Sequence, residues 1–261
     1  MGQILVGTSG YSYTEWVGPV YTQGTKSEEF LSHYGRLFPT VELNFSYYRM
    51  PTSDQLLAMV EQAPSLKFSL KAHGSMTHTI DPIQWRSQAA EFRKAASALQ
   101  QAGALAAILL QFPSSFYYQR QQRTYLHQIV QTLGEFPVAV EFRNSQWYNT
   151  RTIDALRQRQ VALVCTDAPS VQGAPLVMDI VTSSFSYVRL HGRNAASWWG
   201  SDAASRYDYL YNDQELKAIA QRSEALASST ETLYIYFNNH RGAQAVTNAL
   251  TLQKMLFVKG S

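Results

Sequence analysis

The sequence predicts a single (β/α)8 TIM barrel, and three observations point to it. Its 261 residues match the roughly 250 typical of that fold. Short apolar runs alternate with segments of helical period, the pattern of a parallel α/β fold. The runs also end in polar residues spaced two apart: Gly7/Ser9, Glu42/Asn44, Lys71/His73, Gln111, Glu141/Arg143, Asp167, Arg189/His191 and Asn238. Alternate residues of a strand share a face. One closed ring would therefore gather these side chains at the mouth, where such barrels carry their active sites.

In order, the strands are Ile4–Gly7, Thr40–Leu43, Lys67–Leu70, Ala106–Leu110, Val138–Val140, Ala162–Cys165, Tyr187–Leu190 and Leu233–Phe237. Each is mostly apolar on both faces, as buried parallel strands are. Helices are expected over Ser27–Leu37, Asp54–Ala63, Gln84–Ala102, Gln121–Leu133, Thr150–Arg159, Asp213–Leu226 and Ala243–Leu256. Thr25 with Glu28, and Asn212 with Glu215, carry capping-box spacing or its near equivalent. Between strands six and seven, Ala168–Ser186 has two prolines and little periodicity, which marks a degenerate helix. No Gly-rich phosphate loop follows the first strand, which counts against the runner-up, a doubly wound open sheet. No linker or low-complexity tract interrupts the chain, so one domain is expected over residues 1–261. The connections Thr8–Lys26, Ala72–Ile83, Asp167–Ser186 and His191–Asn212 are long, as lids and binding loops are.

With 45% hydrophobic and 16% charged residues, the composition is that of an ordinary globular protein. The net charge of +3 neither requires nor excludes a polyanionic partner. Cys165 is the single cysteine; it precludes an internal disulfide and reads as core packing. The N-terminus does not read as a signal peptide, and no apolar run approaches the roughly 20 residues that span a bilayer. A cytoplasmic protein with no membrane partner is expected.

At the predicted mouth, Glu141 and Arg143 read as an acidic base beside a cationic clamp, or as an ion pair closing the barrel. A buried charge needs a partner either way. Glu42 would act as a base, bind a metal or pair with Lys71. Lys71 is a Schiff-base nucleophile if desolvated, or a counter-charge for Glu42 or for an anion. Arg189, His191 and Arg193 alternate in YVRLHGRN, with Gly192 allowing close backbone approach, and suit a carboxylate or phosphate. The alternative is that Arg189 pairs with Glu141 or Asp167. Glu42, Glu141, Asp167 and His191 together offer a mixed set for a divalent metal, although no HxH or HExxH spacing is present. Asn238, Asn239 and the turn at Gly242 offer uncharged hydrogen bonding and an anion seat. Ser9, Tyr11 and Gln111 complete the substrate-facing set, and His78 and His73 on the third loop could move protons. Tyr11, Tyr13, Trp16, Tyr21, Trp147, Trp198, Trp199, Tyr207 and Tyr209 crowd the upper loops, as platforms for sugars or bases or as packing plugs.

Seven motifs, GTSGYSYTEW, TVELNFSYYRMP, FSLKAHGSMTH, LLQFP, VAVEFRNSQWY, YVRLHGRN and YIYFNNHRGAQAVTNAL, together resemble the YecE-like family, a domain of unknown function (number 72). The resemblance runs in order from about Ile4 to Leu256 and implies a TIM barrel. Its patterns fall on Gly7, Thr8, Ser9, Gly10, Trp16, Glu42, Lys71, Thr77 and His78, then on Gln111, Glu141, Arg143, Asp167, Arg189, His191, Gly192, Asn238 and Asn239. This chain departs from the pattern at Thr22, where a proline is usual, and at Thr79–Asp81, where a basic residue is common. The resemblance implies no particular reaction.

The residues favour an enzyme acting on an anionic small molecule, bearing phosphate or carboxylate, by acid/base chemistry. Arg143, Arg189 and Arg193 would clamp the anion, Glu42 or Glu141 would move a proton, and His191 would assist. The alternative is a nucleic-acid-binding, phosphodiesterase-like barrel, in one form metal-dependent. A third reading is a non-catalytic binder or scaffold, favoured if closed ion pairs fill the mouth and leave no cavity. No cofactor is implied beyond that divalent metal.

Overall fold

The computed structural model describes residues 1–171, 177–198 and 203–257. Nine strand segments form one parallel ladder in the order β6–β5–β4–β3–β2–β1–β9–β8–β7. They are β1 (Gln3–Ser9), β2 (Thr40–Leu43), β3 (Lys67–Lys71), β4 (Leu105–Phe112), β5 (Val138–Phe142), β6 (Ala162–Leu163), β7 (Cys165–Asp167), β8 (Phe185–Leu190) and β9 (Thr232–Phe237). β6 and β7 are two halves of the sixth predicted strand, separated by Val164, whose N–H donates to the Val140 carbonyl at 2.9 Å. One half pairs with β5 and the other with β8. This single stave therefore joins the two ends of the ladder and completes the expected ring of eight.

All seven predicted helices form. They are α1 (Phe30–Tyr34), α3 (Ser53–Gln62), α5 (Trp85–Gln101), α6 (Arg120–Thr132), α7 (Thr150–Gln158), α9 (Asp213–Ala227) and α10 (Gln244–Phe257), joined by short α2 (Phe45–Tyr48), α4 (Gly74–Thr77) and α8 (Ala203–Arg206). The first is shorter than expected, because Ser27–Glu29 forms a 3-10 turn ahead of it. The cap there is also shifted: Glu29, not Glu28, accepts from the Lys26 N–H at 2.9 Å. The Asn212/Glu215 box forms as expected. Among the described residues between β7 and β8 there is no helix.

Strand alternation produces two cores. Outward residues such as Val6, Val41, Phe68, Ile108 and Leu110 pack under the helices. Inward, Ala107, Leu109, Ala139, Ala162 and Val164 pack in one cluster with Phe185, Tyr187 and Tyr236. Together the aliphatic and aromatic side chains fill the lumen. The two tyrosine hydroxyls stay satisfied there, Tyr236 with Thr40 Oγ1 and Tyr187 with Ser69 Oγ, both at 2.7 Å. Gly7 lies opposite Thr40 on β2, and a Cβ on it would stand 2.0 Å from the Thr40 carbonyl oxygen. Only glycine lets β1 and β2 approach this closely. No helix among the described residues is long and apolar enough to cross a membrane.

Candidate active site

The strand phase decides which polar ends meet. Ser9, Glu42, Lys71, Gln111, Glu141, Arg189, His191 and Asn238 share the parity of the lumen-filling residues on their strands, so they cap it. Glu42 and Glu141 are fully buried and both turn to Arg189, which is 2% exposed. Arg189 donates to Glu42 through Nε (3.0 Å, Oε2) and Nη2 (2.8 Å, Oε1), and to Glu141 Oε2 through Nη1 (2.6 Å). Ser9 Oγ and the Tyr187 hydroxyl also donate to Glu42, at 2.5 and 2.7 Å. The second Glu141 oxygen lies 2.6 Å from Arg143 Nε and 3.4 Å from His191 Nε2. Four charges thus cancel in one buried cluster.

Burial pushes the Glu42 carboxyl up, but the Arg189 charge and the donors from Ser9 and Tyr187 outweigh it and hold it below its ordinary value. Glu141 is held well below its ordinary value, against burial, by Arg143 and Arg189. Both are ionised and engaged, so neither is a free base in this state. The expected Glu42–Lys71 pair does not form, because Arg189 reaches Glu42 from across the ring with a bidentate fork that an ammonium cannot match. Tyr187→Phe removes one donor to a buried carboxylate and is expected to cost about 1.5–3 kcal/mol, read as a lower urea midpoint.

His191 is fully buried. Burial, then the Arg143 charge, lowers its pKa to about 4, so it is neutral. The Asn238 amide nitrogen lies 3.1 Å from Nδ1 and Arg143 Nη2 lies 3.3 Å from Nε2, so both ring nitrogens are engaged by neighbours. Tyr207 stacks on the ring, with centroids 5.7 Å apart, and the Arg143 guanidinium lies 5.8 Å from the Trp198 ring. These two aromatics roof the cluster; Trp199 lies outside the described residues.

Lys71 stands apart. Its Nζ lies 4.5 Å from the centroid of the Tyr47 ring, and among the described residues it makes no ion pair. Burial and then Arg189 lower its pKa to about 8. His78 meets the same Tyr47 ring edge-on at 4.9 Å. Burial, Lys71 and Arg143 lower the His78 pKa to about 4. Gln111 is 8% exposed and its side chain makes no protein hydrogen bond among the described residues.

Other expected members do not join the cluster. Asp167 sits on the outward parity of β7, with Leu163 and Cys165. There it binds Arg193 at 2.9 and 2.7 Å and accepts from Tyr211 at 2.9 Å. Arg193 is turned away with it and also reaches Glu215, so it does not join the cluster at the mouth. Gly192 (φ +82°) supports this turn: the close neighbour it accommodates is Tyr209, whose Cβ would stand 2.7 Å from an added Cβ. Asn239 is fully buried and donates to the Tyr209 carbonyl and to Asn248, a structural role. Tyr11 packs on Tyr34 and lines a side cavity of about 510 Å³. His73 caps α4 by accepting from the Ser75 N–H. The metal set Glu42, Glu141, Asp167 and His191 is not assembled: Asp167 faces outward, and guanidinium donors take the carboxylate oxygens. No three His, Cys, Asp or Glu residues among those described are placed to hold a metal ion. Tyr13, stacked on His240 at 4.8 Å, and Tyr21, stacked on Phe30 at 4.4 Å, are packing plugs.

The site residues expected from sequence leave out Tyr187 and Tyr47, while Tyr207 is one of the loop aromatics expected above. Tyr187 shares the face of Arg189 two residues on, which is a readable signal. Tyr47 belongs to α2, which is too short to show a period.

A family model described as "Protein of unknown function DUF72" matches residues 5–260. The chain is 27% identical to UPF0759 protein YunF of Bacillus subtilis, covering 99% of this chain and 96% of that protein. It is similar to the crystal structure of a DUF72 family protein from Thermotoga maritima: 34% identity, TM-score 0.87, 97% of this chain and 99% of the other. A DUF72 family protein from Enterococcus faecalis matches at 25% identity and TM-score 0.87, covering 99% and 97%.

Proposed function

The chain belongs to the DUF72 family of proteins of unknown function, and from that premise we propose that it is an enzyme acting on a small phosphate- or carboxylate-bearing molecule at the mouth of the barrel. The observation that carries this reading is Lys71. Glu42, Glu141, Arg143 and Arg189 neutralise one another, which leaves the Lys71 ammonium as the uncompensated charge beside them. A partly buried cation without a counter-ion costs stability and attracts an anion. The neutral His78 shares the Tyr47 ring with it, and Gln111 stands on the neighbouring strand β4. The ion-paired cluster beneath is a rigid support, and proton transfer falls to Lys71 as acid and to the neutral His78 imidazole as base. Glu42 and Glu141 become positioning residues in this scheme.

The test is calorimetric titration with sulfate, whose charge is constant across the pH range used, and with a sugar phosphate. The wild type is expected to bind both, more weakly as pH rises through about 8. Lys71→Met is expected to lose at least about tenfold in affinity, that is 1.4 kcal/mol. Unchanged binding by Lys71→Met would sink the proposal. The same variant has a second signature. Folding lowers the Lys71 pKa, so the unfolded chain binds the proton more tightly. The penalty is full below about pH 8 and fades as pH rises towards 10.5. Lys71→Met is therefore expected to be more stable than the wild type by about 1–3 kcal/mol at neutral pH, with the gap closing in alkali.

A further inference from the structure

The outer wall of the barrel carries a second cationic feature, whose upper end comes up to His78 beside the mouth. Between α6 and α7 a cleft of about 410 Å³ opens, lined by Arg120, Arg123, Arg151 and Arg159 with His127 and Tyr118, and by no Asp or Glu. None of the four guanidiniums is in an ion pair among the described residues. Arg123 lies 5.0 Å from the Tyr118 ring centroid, and Arg159 donates to Ala155 O and His127 Nδ1. The α6 sequence, RQQRTYLHQIVQT, contains no acidic residue at all.

Helix stability does not explain this placement. Arg120 and Arg151 lie in the first turns of α6 and α7, where the positive end of the helix dipole disfavours a cation by about 0.3–1 kcal/mol. Gln119, the α6 N-cap, accepts no side-chain capping bond, so first-turn N–H groups remain for a ligand. Arg120, Arg123 and His127 follow the i, i+3, i+7 face of α6 over about 10 Å, and Arg151 and Arg159 span about 12 Å of α7 at the helical rise. No single phosphate or carboxylate reaches both ends. The track also continues. A lower cavity of about 330 Å³ shares His127 and Arg159. An upper one of about 670 Å³ shares Arg120 and adds Arg86 and His78. The floor between the arginines is apolar, with Leu126, Val130 and Leu156, and Tyr117 stands 51% exposed beside Tyr118.

We propose that the α6–α7 cleft binds the phosphate backbone of a single-stranded nucleic acid, its cations following successive phosphates while the exposed Tyr117 offers a stacking face. The site is independent of the reading given for Lys71. Its test is fluorescence anisotropy of a labelled oligothymidylate against salt. Four phosphate contacts imply a log–log slope of about −3, or about 50-fold weaker binding from about 50 to 200 mM salt. The combined variant Arg120→Gln, Arg123→Gln, Arg151→Gln and Arg159→Gln changes only side chains at the surface. It is expected to lose at least about tenfold in affinity and most of the salt slope, while Lys71→Met binds the strand as the wild type does. Absence of oligonucleotide binding at low salt, or equal binding by the combined variant, would overturn the proposal. So would displacement of the strand by inorganic phosphate at equal phosphate concentration, or tighter binding to phosphatidylserine vesicles than to the strand.

Discussion

Exchanging Arg189 for Met is expected to cost about 3–5 kcal/mol of folding stability, the largest loss of any single change at the mouth. Three of its nitrogens serve two carboxylates that have no access to water. Met fills similar volume, so the loss measures the stranded charges and not a cavity. Glu42 would keep Ser9 and Tyr187, and Glu141 would keep Arg143, but neither set replaces a cation held between the two. The double variant Arg189→Met with Glu42→Gln is expected to recover part of the deficit in urea unfolding, because one buried charge is gone. Arg189→Lys is expected to recover little, since one ammonium cannot span both partners. A deficit below about 1 kcal/mol, the level of an exposed pair, would mean that the cluster is far wetter than its burial indicates.

Acid is expected to weaken the fold well before the carboxylates titrate. His191 is held near 4 in the folded state against an ordinary 6.5. The unfolded chain therefore takes up a proton below 6.5 that the folded chain refuses until about 4. Stability from this group is full above pH 6.5 and falls as pH drops towards 4, by about 3 kcal/mol in all. His78, shifted in the same direction, adds to the fall in the same window, less so because it is partly exposed. Glu42 and Glu141 contribute only at lower pH, as each is protonated below its ordinary value. Thermal melts from pH 7 to 4 should show this slope, and His191→Asn should flatten it. Parallel pH profiles for the two proteins would show that the imidazole is not the group responsible.

The architecture was legible because short apolar runs and helical segments alternate from end to end, and every predicted strand overlaps an observed one. What failed was phase. β8 announces its inner face, since Arg189 and His191 are polar against Val188 and Leu190. The sixth stave, ALVCTD, is apolar on both sides, as a stave buried between helices and lumen must be. Nothing local then says that Asp167 points out and Thr166 in, and the mistaken parity took Arg193 and the metal set with it. Partner choice was hidden for another reason. Glu42 lies beside Lys71 on the neighbouring strand but bonds Arg189, 147 positions away in sequence, through a contact across the lumen that no window of residues contains. Four-residue helices such as α2 and α4 are too short to show a period, which concealed Tyr47.

The tyrosines within the ring have a consequence for molecular traffic. Tyr187 and Tyr236, both fully buried, stopper the passage below the charged layer, so the barrel is a cup and not a conduit. Whatever reaches Lys71 must come over the rim and depart the same way, so a ligand enters and leaves by a single doorway.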